Sequence, residues 1–172
     1  MIDLKAFVRE VSDFPKKGIV FKDITPLLKN PNAFQYAIDH FAKRYETRKL
    51  GAVVAIESRG FILGGALATK LGVPFVPVRK PGKLPWNTIE ETYDLEYGKD
   101  TLQIHSDAFE FENKKVIILD DVLATGGTAA ATVNLVERAG AKVEEAAFLI
   151  ELSFLNGRQK LRSVPIFSVI SY

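Results

Sequence analysis

The chain has 172 residues, 47% hydrophobic and 26% charged, which describes one globular domain large enough to bury a core. Its formal net charge of +2 excludes a general electrostatic footprint for nucleic acid or a membrane surface, so any cationic site has to be local. It has no cysteine, which excludes disulfides and thiolate chemistry, and its two histidines, His40 and His105, are too few for a histidine-built metal site.

Leu4, Phe7, Val8 and Val11 recur at helical spacing, so residues 2–12 read as an amphipathic opening helix. Phe14-Pro15-Lys16-Lys17-Gly18 breaks it ahead of a short apolar group, Ile19-Val20-Phe21. Asn30-Pro31 is a helix start, an N-cap followed by proline at the first helical position. Phe34, Ala37, Ile38, Phe41 and Tyr45 line one side of that helix, and His40 within it reads as structural. Apolar runs then alternate with helices. A strand over Ala52–Ile56 precedes a helix over Ile62–Lys70 closed by Gly72. Strands follow over Val73–Val78, Leu102–His105 and Val116–Leu119. A helix over Gly127–Ala139, ended by Gly140, leads to strands over Val143–Leu152 and Val164–Ile170. This order predicts an α/β fold with a mostly parallel central sheet flanked by helices.

No internal repeat or low-complexity linker divides the chain, so residues 1–172 read as a single domain. Ligands of such sheets bind at the carboxyl ends of the strands, which sets the loops at 57–61, 79–98 and 120–128 around one mouth. No apolar run approaches the ~18–20 residues that span a bilayer. The start Met1-Ile2-Asp3-Leu4-Lys5 lacks a signal-peptide layout, so a soluble, cytoplasmic protein is expected.

The most informative stretch is Val116 to Ala129. An apolar strand ends in two adjacent carboxylates, Asp120 and Asp121, and a loop with paired glycines, Gly126 and Gly127, opens into a helix. Glycine lets a ligand approach the backbone closely. The amides at a helix start point at an anion and carry the positive end of the dipole. The stretch has neither the Gly-Lys-Ser/Thr of a nucleoside-triphosphate loop nor the G-x-G-x-x-G of a dinucleotide fold. Carboxylates accept hydrogen bonds from vicinal hydroxyls, so the pair suits a sugar ring better than a triphosphate chain.

Glu57-Ser58-Arg59-Gly60-Phe61 also follows a strand and precedes a helix. Arg59 offers a planar, permanently charged fork suited to phosphate oxygens. Arg79, Lys80 and Lys83 put three cations within five residues at another strand end, enough to hold a pyrophosphate or to form a solvated basic loop. The stretch Leu84 to Gly98 holds Trp86 and the carboxylates Glu90, Glu91, Asp94 and Glu96. Its length reads as a lid or functional loop.

Taken together, these segments resemble the adenine phosphoribosyltransferases of the type I phosphoribosyltransferase family over nearly the whole chain. Phe14 to Leu28 resembles that family's hood, which closes over the base. Ser58-Arg59-Gly60-Phe61 resembles its pyrophosphate loop, Leu95-Glu96-Tyr97-Gly98-Lys99 its flexible lid, and Val116 to Thr128 its phosphoribosyl loop. The resemblance implies a small N-terminal hood over residues 1–30 and a lid loop over residues 80–100 added to the parallel sheet. It implies transfer of the 5-phosphoribosyl group from 5-phosphoribosyl 1-pyrophosphate to adenine, giving AMP and pyrophosphate, with Mg²⁺ carried mainly by the donor.

Position by position, the resemblance gives the ribose hydroxyls to Asp120 and Asp121, and the 5-phosphate to Ala124, Thr125, Gly126, Gly127 and Thr128. Pyrophosphate falls to Arg59 with the Glu57–Ser58 turn, where a cis peptide is implied, and to Arg79, Lys80 and Lys83. Adenine falls to Val20, Phe21 and Lys22, with Leu152 on its other face, and proton transfer to Glu96. A homodimer is implied, with no nucleic-acid or membrane partner. Two positions depart from the family: Lys22 stands where arginine is usual, and residues 83–87 are shorter than the usual lid opening. The alternatives are transfer to another purine base and a non-catalytic sensor of the donor. The hood sequence argues against the first, and a retained Glu96 lid against the second.

Overall fold

The computed structural model describes residues 2–94 and 98–172. A 3-10 turn over Leu4–Phe7 leads into β1 (Arg9–Ser12), which pairs antiparallel with β2 (Val20–Asp23), Val11 facing Phe21. The opening helix expected over 2–12 is therefore a turn and a strand. Of its four apolar residues only Leu4 is buried, and the β-branched Val8 and Val11 suit extended backbone. Asp23 ends the hairpin by accepting from the Thr25 amide, which starts the short α1 (Thr25–Lys29). Asn30 caps α2 (Pro31–Tyr45) as its sequence predicts, its side chain accepting from the Ala33 amide at 3.0 Å.

The core elements follow in the expected order, with one strand, over Thr88–Asp94, added where a loop was expected. They are β3 (Ala52–Ile56), α3 (Arg59–Leu71), β4 (Phe75–Val78), β5 (Thr88–Asp94), β6 (Lys99–His105), β7 (Lys115–Leu123), α4 (Gly127–Arg138), β8 (Lys142–Glu151) and β9 (Ile166–Ser171). Five of these strands form one parallel sheet in the order β4-β3-β7-β8-β9. Strand side chains alternate between its faces. Val54, Ile56 and Ile118 pack with α4 and with Leu102 and Ile104 of β6, while Val53, Ile117 and Leu119 pack with Phe41 of α2 and Leu63 of α3.

Two differences from the expected elements bear on function. Within the 84–98 stretch, residues 88–94 form β5, which pairs antiparallel with β6 and packs on α4. β7 does not stop at Leu119; it runs through both aspartates to Leu123, held by pairing to β8 along that length.

The β7–β8 register skips Glu144, so Glu145 turns inward toward α2. There it accepts from the Arg44 fork at 2.7 and 2.6 Å and from the Tyr45 hydroxyl at 2.6 Å. A carboxylate this deep in an interior strand needs such partners. Burial pushes its pKa up, but the bonds from Arg44 and Tyr45 outweigh that and hold it below the usual glutamate value.

The chain leaves β3 toward β4 on one side and reaches β7 on the other, with α3 and α4 covering opposite faces. The sheet therefore has its topological switch point between β3 and β7, and the crevice outside their carboxyl ends is the place for a ligand. Among the described residues no helix is long and apolar enough to cross a membrane.

Candidate active site

Both helices that follow the switch-point strands begin at this crevice. Neither α3 nor α4 has a side-chain hydrogen bond at its N-cap. Apart from Phe61, whose amide donates to the Ser58 carbonyl at 3.2 Å, their first-turn amides, at the positive ends of two dipoles, face acceptors arriving from the crevice. The Glu57–Ser58 peptide between β3 and α3 is cis, as the resemblance implies. Gly60 brings α3 close to β7: a Cβ there would stand 2.8 Å from Asp120 Oδ1 and 3.1 Å from the Leu119 carbonyl.

The acidic pair is unevenly compensated. Asp121 is 5% exposed, and its Oδ2 lies 2.6 Å from Arg59 Nε. The contact is an ion pair without hydrogen-bond alignment, which leaves Oδ2 short of a directed donor. Asp120 is half-buried and accepts the Asp121 amide at 2.8 Å through Oδ1. Burial and then the neighbouring Asp121 charge raise the Asp120 pKa well above the ordinary value. Burial also raises Asp121, against the opposing charge of Arg59. Such a pair gains most from ligands that bring hydroxyl donors or positive charge.

Arg59 is not held by Asp121 alone. Its guanidinium sits 5.0 Å over the Phe21 ring, which ties the first residue of α3 to the hood hairpin. Arg79 and Lys80 are similarly engaged. Arg79 Nε donates to Glu57 Oε2 at 2.7 Å, the Lys80 amide donates to Glu57 Oε1 at 3.0 Å, and Lys80 Nζ donates to Asp100 at 2.9 Å. Lys83 is exposed, and its carbonyl accepts from Arg79 at 3.2 Å. Arg79 and Lys80 thus frame one edge of the mouth through Glu57, just past β3, and Asp100 of β6, with Lys83 beside them.

The loop Ala124–Gly126 turns into α4 through Gly126, whose φ of +79° favours glycine. Behind it lies Gly157, a residue that sequence reading did not single out. A Cβ on Gly157 would stand 2.2 Å from the Ala124 carbonyl, and one on Gly126 would stand 2.3 Å from the Gly157 carbonyl. The loop is shaped by backbone packed on backbone. The Asn156-Gly157 dipeptide signals only a turn; its partner 33 positions earlier carries no local mark.

At the hood, Val20 is 45% exposed, leaving apolar surface beside Phe21 and Arg59. Lys22 points elsewhere: it is buried, its ammonium pairs with Glu10, and it lies 4.0 Å over the Tyr172 ring. The Tyr172 carbonyl accepts from the Ser153 amide at 2.9 Å, which brings the hairpin next to half-buried Leu152. Because the Lys22 charge faces Glu10, Lys22→Met is expected to keep the KM for the base that the resemblance implies within about fivefold of the parent, as for loss of a weak ion pair. A hundredfold rise in steady-state assays would mean that the ammonium itself reads the base. Glu96, expected to transfer the proton, lies outside the described residues.

Residues 23–166 match the model of the phosphoribosyl transferase domain. With the switch-point crevice, the acidic pair and the glycine loop, this defines the chain as a phosphoribosyltransferase. The adenine phosphoribosyltransferase of Thermosipho melanesiensis is 57% identical over 171 residues, 99% of this chain and 97% of that relative. The crystal structure of the one from Thermoanaerobacter pseudethanolicus has a TM-score of 0.94 at 54% identity and covers 98% of each chain. The Saccharomyces cerevisiae enzyme, solved with an imino-altritol bisphosphate and adenine, has a TM-score of 0.90 at 44% identity over 96% of each chain. The chain belongs to the adenine phosphoribosyltransferase family.

Proposed function

We infer that this chain transfers the 5-phosphoribosyl group of 5-phosphoribosyl 1-pyrophosphate to N9 of adenine, forming AMP and pyrophosphate. The observation that carries this reading is the meeting, at one switch point, of the acidic pair, Arg59 and a glycine loop backed by Gly157. In the reaction the sugar carbon gains positive charge while the leaving pyrophosphate gains negative charge. Asp120 and Asp121 accept the ribose hydroxyls and set negative charge beside the cationic sugar. The amides of residues 124–128 and the Thr125 and Thr128 hydroxyls hold the 5-phosphate. Arg59, Arg79, Lys80 and Lys83 receive the pyrophosphate, with the Glu57–Ser58 turn. Val20, Phe21 and Lys22 hold adenine through backbone and ring contacts opposite Leu152, and Glu96 accepts its proton.

Among the described residues no group of three histidine, aspartate or glutamate side chains could hold a metal. Asp121 already has Arg59 as its counter-charge. This donor set fits Mg²⁺ arriving on the substrate, where the ion neutralises leaving-group charge. A cytoplasmic location and a homodimer complete the proposal, the homodimer supported by the exposed Ile62 and Phe75 on α3 and the edge strand β4.

Pyrophosphate release from the donor with adenine, hypoxanthine, guanine and xanthine tests the reading. Turnover with adenine alone is expected. Preference for another base would reassign the hood, and no turnover with any base would make the chain a sensor of the donor.

A further inference from the structure

The turn end of the β5–β6 ribbon carries two polar side chains, Tyr93 and Asp100, to which the reaction above gives no role. Lys80 Nζ lies 2.9 Å from Asp100 Oδ2, the Tyr93 hydroxyl lies 3.4 Å from the same oxygen, and it lies 3.1 Å from Thr128 Oγ1. Tyr93 and Asp100 face each other across the ribbon. Thr128 opens α4 in the phosphoribosyl loop, and Lys80 belongs to the cationic loop after β4. One file of contacts therefore joins the two anion-binding edges of the crevice.

The ribbon is seated on α4 by more than this file. Glu91 accepts from Arg138 and, at 3.3 Å, from Asn134, and the Glu90 carbonyl accepts from Arg138 at 3.0 Å. The Tyr93 ring packs against the main core and passes 3.7 Å from where a Gly127 side chain would begin. Removing the Tyr93 hydroxyl would leave these contacts in place.

Proton bookkeeping gives the file a direction. Burial pushes the Asp100 carboxyl up, but the Lys80 ammonium and the Thr101 amide outweigh it and hold it low, so Asp100 only accepts. Without a ligand, Thr128 O–H donates to Tyr93 Oη and Tyr93 O–H donates to Asp100. A phosphate in the loop accepts a hydrogen bond from the Thr128 hydroxyl. Thr128 Oγ1 then becomes an acceptor, and the single Tyr93 proton turns to it. The resulting run, Tyr93 O–H to Thr128 O–H to phosphate, is strengthened because each bond polarises the next.

We propose that the Tyr93 hydroxyl, already in contact with Thr128, holds the ribbon more tightly onto the phosphoribosyl loop when Thr128 engages the 5-phosphate, and that the seated ribbon, through the Asp100–Lys80 pair, positions Lys80 for the pyrophosphate. Tyr93 is thus a positioning residue that couples the two ends of the donor. The inference rests on the reading of residues 124–128 as the 5-phosphate loop.

Calorimetric titration of pyrophosphate with Mg²⁺, in the absence and presence of saturating ribose 5-phosphate, measures that coupling without requiring turnover. The parent is expected to bind pyrophosphate roughly three- to tenfold more tightly with ribose 5-phosphate present, the range one hydrogen bond supplies. Tyr93→Phe is expected to lose that gain with an unchanged thermal midpoint, and Thr128→Ser, which keeps a hydroxyl, to retain it. In steady state Tyr93→Phe should raise the KM for the donor and leave that for adenine unaltered. No coupling in the parent, or full coupling in Tyr93→Phe, overturns the proposal. Failure of the parent to make AMP would instead refute the reaction, and the two failures are distinct.

Discussion

Asp120→Asn is expected to lower kcat/KM for the donor by about two to three orders of magnitude, on the scale of removing one electrostatic partner of a transition state, and to raise the thermal midpoint at neutral pH. The opposite signs have one cause. Asp120 sits in a crevice where burial and the Asp121 charge penalise its ionised form. That penalty is relieved when ribose hydroxyls donate to it and the sugar carbon turns cationic. Asparagine keeps the shape and loses the charge, so the resting protein gains and the transition state loses.

The pH dependence follows from the direction of the shift. Folding raises the Asp120 pKa, so between the ordinary carboxylate value and the raised one the folded chain holds an extra proton. Stability due to this group falls as pH rises through that window, and the full loss is present above it. The stability advantage of Asp120→Asn should therefore appear at pH 7 and vanish below the ordinary value of 3.8. The parent's kcat/KM should fall as pH drops through the raised pKa, and the variant should lack that limb. Thermal melts and initial rates across pH check both. A variant less stable than the parent at pH 7 would sink the account.

Legibility of this fold in the sequence follows the range of the forces involved. β3, wholly buried, has the bounds its apolar run predicts, and α3 and α4 fall where glycine and periodicity put them, α3 starting at Arg59 instead of Ile62. The cap at Asn30 is a local bond and is visible locally. What the chain hides is set by distant partners. The spacing of Leu4, Phe7, Val8 and Val11 matches a helix, yet cross-strand pairing with Val20–Asp23 makes their segment a turn and a strand. The 84–98 stretch reads as a polar loop because half of the ribbon faces solvent, while Tyr93, Leu102 and Ile104 on the other half dock on the core. The extension of β7 past Leu119 depends on β8 lying alongside. Of the site, the acidic pair, Arg59 and the glycine loop are legible because their chemistry is unusual in sequence. The engagement of Arg59 with both Asp121 and Phe21, and the turning of Lys22 toward Glu10 and Tyr172, are tertiary facts.

Gly157→Ala is expected to damage both stability and the phosphoribosyl loop. Its new methyl would meet the Ala124 carbonyl at 2.2 Å and the Gly126 amide nitrogen at 3.1 Å. Both are backbone atoms, so no side-chain rotation relieves the clash, and the loop must move as a unit. Overpacking of this kind costs about 1–3 kcal/mol, and the first segment to yield is the loop that cradles the 5-phosphate. A displacement near 1 Å at such a site costs about a hundredfold in rate. The variant should thus fold with a lowered melting temperature, bind ribose 5-phosphate far more weakly, and lose about a hundredfold in kcat/KM for the donor. Titration with ribose 5-phosphate gives the sharpest reading, because it isolates the loop from the chemical step. If Gly157→Ala binds that ligand as tightly as the parent, the backbone contact with Ala124 is not what shapes the phosphoribosyl loop.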